Sequence, residues 1–165
     1  MAEHVPVTSR VHRSIATPIL FAMAAVVAAC GGGSSGGSLP PPQELINGIA
    51  VPPAPSAALN DSSLSGVDSN SNGIRDDVDR RLATEFGAST TAYAIAKEHA
   101  SRLQSALIAP SATSKRAYVD YSRCVSDLSL LSRLGKQTEA TLNTAERQAA
   151  YRALMTNVFV NREGC

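Results

Sequence analysis

Thr90 to Ala109 reads TTAYAIAKEHASRLQSALIA. Ala92, Ala96, His99, Leu103 and Ala106 recur in it at steps of four, three, four and three, with Ile95 and Leu107 beside them. That is the period of an α-helix with one buried stripe. Upstream, Arg75 to Phe86 repeats the pattern with Val78, Leu82 and Phe86 on one face, and Gly87 is placed to end it. Downstream, Pro110 and Ser111 break and restart the chain. A third helix is expected over Ser111 to Leu134, with Ala117, Tyr121, Cys124, Leu128 and Leu131 as its stripe and Gly135 as its end. Asn143 and Glu146 have capping-box spacing. They predict a fourth helix to about Val160, with Ala150, Tyr151, Leu154, Val158 and Phe159 inward. No stretch shows the strict alternation of a half-buried strand. The expected fold class is all-α, a small bundle of three to four helices. Aromatic residues are only 4% of the chain, so the core must be built from Ala, Leu, Val and Ile.

The chain before residue 67 has a different composition. Arg10, His12 and Arg13 precede an uncharged run from Ile15 to Ala29. Fifteen residues or so is short for a membrane span, which needs roughly 20, and fits the apolar region of a secretory signal. The run ends in Val27-Ala28-Ala29-Cys30 followed by three glycines. This resembles the lipobox of bacterial lipoproteins. The resemblance implies diacylglycerol on the Cys30 thiol, cleavage before Cys30 and acylation of the new amino terminus. Several acyl chains on one residue anchor firmly. Gly31 stands where the family's retention signal has Asp, which implies the outer membrane, facing the periplasm or the cell surface. The alternative is an ordinary secretory signal that contains a cysteine.

Seven of the 11 glycines and six of the 9 prolines lie between residues 31 and 66. Such a segment reads as a flexible or extended spacer. The domain organisation expected is therefore a signal peptide over 1–29, a lipidated, disordered tether over 30–66, and a calcium-loop plus helical domain over 67–165. A second reading of the tether lets Leu45, Ile46, Ile49 and Val51 dock on the folded part.

Asp68-Ser69-Asn70-Ser71-Asn72-Gly73-Ile74-Arg75-Asp76-Asp77-Val78-Asp79 carries the sharpest signal. Oxygen side chains fall at positions 1, 3, 5, 9 and 12, with Gly at 6. A calcium ion takes six to eight oxygens, and a twelve-residue loop can supply them by wrapping round it. Asp68, Asn70 and Asn72 would coordinate through side chains, Ile74 through its carbonyl, Asp76 directly or through water, and Asp79 would close the site. The loop resembles those of EF-hands, and more closely those of dockerins and thrombospondin type 3 repeats. It departs from them in placing its apolar residue at position 7 and in closing with the shorter Asp79. These departures and the two Asn ligands imply a weak structural Ca²⁺ site, on the order of 10⁻⁴ to 10⁻³ M. The alternative is a polar turn that caps the following helix.

Lipidation of Cys30 would leave Cys124 and Cys165 as an even pair in an oxidising compartment. A bridge between them would contribute on the order of 4 kcal/mol in the chain-entropy model. In a straight antiparallel hairpin of helices three and four, Cys165 overshoots Cys124 by roughly 18 Å. The bridge therefore requires helix four to stop near Val158 to Val160 and the tail to double back. A Cys165–Cys165 dimer and two free thiols are the alternatives.

Charge and chemistry narrow the function classes. The chain carries 15 basic and 14 acidic residues, and beyond Ala29 the two are equal at 13 each. Arg80-Arg81 and Lys115-Arg116 are too small for a nucleic-acid surface. His99 is the only histidine after the signal peptide, which gives no zinc triad, and its place on the apolar stripe suits a structural role. No Gly-x-Ser-x-Gly elbow or phosphate loop occurs. Tyr118 and Tyr121 suit core packing better than a groove, and Glu85, Glu98, Asp120, Asp127 and Glu139 are scattered. The expected protein is a calcium-binding, membrane-anchored envelope lipoprotein with a structural or protein-interaction role. An envelope enzyme acting on cell wall or glycan with paired carboxylates, which must stand roughly 5–10 Å apart, is one alternative. An accessory or inhibitor subunit with an exposed apolar patch is the other.

Overall fold

A computed structural model describes residues 42–156. The expected all-α class is observed. The elements in chain order are β1 (Leu45–Ile46), β2 (Ile49–Ala50), α1 (Ala57–Asn60), α2 (Asp76–Phe86), α3 (Thr90–Ile108), α4 (Ala112–Cys124), α5 (Leu128–Thr141) and α6 (Ala145–Met155). Among the described residues no helix is long and apolar enough to cross a membrane. The signal-type run, Cys30, Val158, Phe159 and Cys165 lie outside the described residues.

Helix α3 is the axis of the bundle and packs against α2, α4, α5 and α6. Its N-terminal half shares a core with Ile74, Val78, Leu82 and Phe86 on one side and Leu130 and Leu134 on the other, through Ala96 and Ala100. Its C-terminal half supplies Leu103, Ala106 and Leu107 to a second core with Tyr118, Val119, Leu142 and Leu154. Alanines on α3 let the neighbouring helices approach closely. The fully enclosed leucines then supply most of the burial, roughly 1.5–3 kcal/mol each.

The expected third helix is in fact two. The Asp127 carboxylate accepts a hydrogen bond from the Leu130 amide at 2.9 Å and starts α5 anew. The break resets the helical phase. Tyr118 and Val119 therefore face the core of α4, and Leu130 and Leu134 that of α5, while Cys124, Leu128 and Leu131 are exposed. Gly135 does not end a helix; it sits inside α5 with open space where a Cβ would be. The cap of α6 is Thr144, whose hydroxyl accepts from the Arg147 amide at 3.2 Å, so Asn143 is released for another task.

The tether was expected to stay unfolded to residue 66, and here the structure differs. β1 and β2 pair antiparallel, with Leu45 opposite Ala50 and Ile46 opposite Ile49. Asn47 and Gly48 turn between them with φ of 50° and 77°, the two positive values of a type I′ hairpin turn. Asn47 donates to the Ala83 carbonyl at 2.8 Å. Arg80 forks onto Glu44 with two bonds of 2.8 Å and reaches the Pro52 carbonyl at 2.9 Å. Val51 is buried, while Leu45 remains exposed, so the docking reading holds for part of this segment. The anchors of the hairpin come from α2, 28 to 36 residues on, which is why local composition suggested disorder.

Candidate metal centre

The 68–79 loop closes on itself where the Asp76 amide donates to the Val67 carbonyl at 2.8 Å. Gly73 takes the turn with φ of 81°, and Ser71 also lies in the left-handed region at 56°. Asp68 faces inward: Oδ1 accepts from the Asn72 amide at 3.1 Å and Oδ2 from the Gly73 amide at 2.9 Å. Asn70 Oδ1 accepts from the Asn72 amide at 3.2 Å, and Asn72 Oδ1 from the Ile74 amide at 2.8 Å. Asp76 Oδ1 accepts from the Ser69 amide at 3.0 Å. Across the loop, Asn70 Nδ2 and Asn72 Nδ2 both donate to Asp79 Oδ2, at 3.3 and 2.5 Å. Side chain to side chain, the loop thus links Asn70 and Asn72 to Asp79, while Asp68 and Asp76 bond backbone amides of the same loop. Ile74 points its side chain into the first core.

The electrostatics of this loop are unbalanced. Asp76 and Asp79 are buried at 1% and 4% exposure, and Asp79 Oδ1 has no hydrogen-bond partner. Among the described residues no ion pair reaches Asp68, Asp76 or Asp79. A buried carboxylate oxygen left unsatisfied costs about 1–3 kcal/mol or more. A hard cation is the partner that all-oxygen donors suit. Among the described residues no three His, Cys, Asp or Glu side chains are gathered as a metal-holding group. The donor set here instead mixes carboxylates with Asn amides, and Asp68 and Asp76 are partly engaged by backbone amides. The loop also acts at a distance: burial and then the charge of Asp79 raise the Tyr93 pKa.

The groups expected to be inert have structural tasks. His99 is 4% exposed, and burial lowers its pKa to about 4. Its ring lies 5.2 Å from that of Tyr118, which in turn meets Tyr151 at 6.4 Å. Tyr121 donates to the Ile95 carbonyl at 3.3 Å under the Arg102 guanidinium. Glu85 pairs with Arg81, Glu98 with Arg102, and Asp127 caps α5. Cys124 is disulfide-bonded. It is the sole cysteine of residues 42–156, so its partner lies outside the described residues. An open groove of about 580 Å³ is walled by Leu64, Leu107, Ile108 and Leu154, with Lys115 at its side.

Two residues, one in the 68–79 loop and one facing it, escaped the sequence reading. Arg75, position 8 of the loop, and Arg147 on α6 are both fully buried. Arg75 grips Asp77 through Nε and Nη2 at 2.9 and 2.7 Å and reaches the Thr141 carbonyl at 3.0 Å. Burial works upward on Asp77, but this grip outweighs it and holds the carboxyl below its usual range. Arg147 donates to Asp61 at 3.0 Å, to Asn143 at 2.5 Å, to the Ser63 carbonyl at 2.9 Å and to the Asn60 carbonyl. Its pKa is lowered by burial and by Arg75, with Asp61 acting against both. The one local hint was the break between Leu142 and Thr144, where Asn143 is freed to bridge the two arginines.

No protein-family model, no curated protein and no solved structure matches the chain.

Proposed function

We propose that the 68–79 loop binds Ca²⁺ as a structural ion in an envelope lipoprotein whose role is scaffolding or protein interaction. The buried, unpartnered Asp79 Oδ1 carries the metal reading, set in a loop of oxygen donors whose three carboxylates have no cationic partner among the described residues. Asp68, Asn70, Asn72, Asp76 and Asp79 would hold the ion with the Ile74 carbonyl. The ion would supply charge neutralisation and cross-link the loop to α2. Ten millimolar Ca²⁺ on a site of the expected strength stabilises by roughly 1.5–3 kcal/mol, a rise in Tm of roughly 5–10 °C. Thermal melting in EDTA and in excess Ca²⁺ tests this. No rise in the wild type, or the same rise in Asp68→Ala, refutes the site.

The anchor rests on Val27-Ala28-Ala29-Cys30 and its basic flank. Acyl chains on Cys30 would hold the domain on the outer membrane, and an envelope protein is the partner class. Mass spectrometry of membrane-extracted protein should show the acyl mass on Cys30; an unmodified Cys30 rejects the anchor.

Pairing of Cys124 with Cys165 belongs to the same proposal. Helix α6 stops at Met155, and the Thr156 carbonyl accepts from Lys115 of α4. Cys124 lies nine residues farther along α4, about 14 Å. Nine extended residues span roughly 30 Å, so 157–165 can reach it. A non-reducing peptide map joining the two cysteines is the expected result.

A further inference from the structure

The segment that enters the loop is held by one buried arginine, Arg147, and packs at Gly66 against a second, Arg75, which the loop itself supplies. Arg147 takes the Asn60, Ser63 and Leu64 carbonyls and the Asp61 carboxylate. Gln104 takes the Ser65 carbonyl at 2.9 Å. Asn60 Oδ1 accepts from the Val67 amide at 3.2 Å, at the threshold of the loop. Gly66 lies between, with φ of 61°; a Cβ there would come within 2.6 Å of Arg75 Cδ and 3.0 Å of Arg147 Nη2. Asn143 ties the two guanidiniums together, accepting from Arg147 at 2.5 Å and Arg75 at 3.5 Å. Residues 60–66 therefore rest on a bed whose shape depends on where the loop puts Arg75.

We propose that residues 60–66 are a calcium-dependent latch, set by Arg75 of the loop and fastened by Arg147. This rests on the calcium reading above. With the ion present, the loop carboxylates are neutralised and Arg75 stays between Gly66, Asp77 and Thr141. Without it, the uncompensated carboxylates of Asp68, Asp76 and Asp79 repel, the loop loosens, and Arg75 leaves its place under Gly66. Asp61 and Arg147 then lose the neighbour that shapes their bed, and 60–66 comes away. Leu64 leaves with it and uncovers Leu107 and Leu154, its neighbours in the apolar groove. The hairpin at 45–50 stays, because its anchors are Arg80, Ala83 and Thr84, on the body of α2.

Amide hydrogen exchange on the full chain, with Ca²⁺ or with EDTA, tests the latch. Calcium binding is measured on the same sample by titration calorimetry. The amides of Asn60, Asp61 and Val67, bonded to Ser56, Ala57 and Asn60, should exchange at least tenfold faster in EDTA. The Val51 amide, bonded to Glu44 in the hairpin, should not change. Calcium binding with no change at 60–67, or with equal loss in the hairpin, overturns the latch and leaves the calcium site standing. Absence of binding overturns both. Asp61→Asn keeps the size of this exposed side chain and weakens the grip. It should give fast exchange at 60–67 in saturating Ca²⁺ with calcium binding retained; exchange as slow as wild type contradicts the mechanism.

Discussion

The α2–α3 interface and the segment from Pro42 to Arg75 are held by different physics. At the interface, Val78, Leu82 and Phe86 meet Ala96 and Ala100 in a dry core. Many small, non-directional contacts share the load. The 42–75 segment has two strands of two residues and one helix of four. It is pinned by directional bonds from a few side chains outside it, Arg80, Gln104 and Arg147, and by its own Asn47 on the carbonyls of α2. A periodic core tolerates rearrangement, whereas a segment held by a few buried charges fails when one is removed.

The contrast breaks most sharply at Arg147. Arg147→Ala strands the Asn60, Ser63 and Leu64 carbonyls and leaves Arg75 without its shared Asn143 arrangement. Removing one member of a buried charged cluster costs about 3–5 kcal/mol. A urea midpoint corresponding to less than about 1 kcal/mol would show that the polar segment is not held as described.

Acid probes the core instead. Folded His99 stays neutral down to about pH 4, whereas an unfolded histidine takes its proton near 6.5. Between those values the unfolded chain binds more protons, so stability falls as pH falls, by on the order of 3 kcal/mol in all. Tm measured from pH 7 to pH 4 should drop in the wild type and lose much of that slope in His99→Phe. Below about pH 4 a second loss begins as Asp77, whose pKa is lowered, takes its proton and releases Arg75.

Gly66→Ala comes next. A left-handed φ in a non-glycine residue costs about 1–3 kcal/mol, and the new Cβ would press on Arg75 and Asn60. A neutral melting curve would mean that the latch has slack. The smallest effect lies in the bundle. Gly135→Ala meets nothing within 4 Å inside α5 and should raise stability by about 1 kcal/mol; a loss there would indicate crowding that the helix does not show.

The same contrast explains what could be read from the sequence. Helical period, with Gly87 and Pro110 as stops, placed α2 and α3 to within a residue, because Val78, Leu82, Phe86 and Leu103 are both periodic and buried. The third helix misled because Cys124, Leu128 and Leu131 extend the period across a break set by one side chain, Asp127. The closed turn of the 68–79 loop was legible, since Asp68, Asn70, Asn72, Asp76 and Asp79 lie within twelve residues and bond locally. Arg75 and Arg147 were not. Their partners are as far as 87 residues away, and an arginine's sequence neighbours carry no sign that it is buried. Asn47-Gly48 between apolar pairs was a hairpin signal that the surrounding proline and glycine obscured.

The most direct test of the proposed calcium site is a Ca²⁺ titration followed by ¹H–¹⁵N NMR on the wild type and Asp79→Ala. In the wild type, the amides of Asn72, Gly73 and Ile74 should move in a saturable way, with Kd on the order of 10⁻⁴ to 10⁻³ M. Asp79→Ala should abolish the movement while the α3 and α6 amides keep their positions. Wild-type loop amides that fail to saturate, or an Asp79→Ala titration that matches the wild type, would contradict the account.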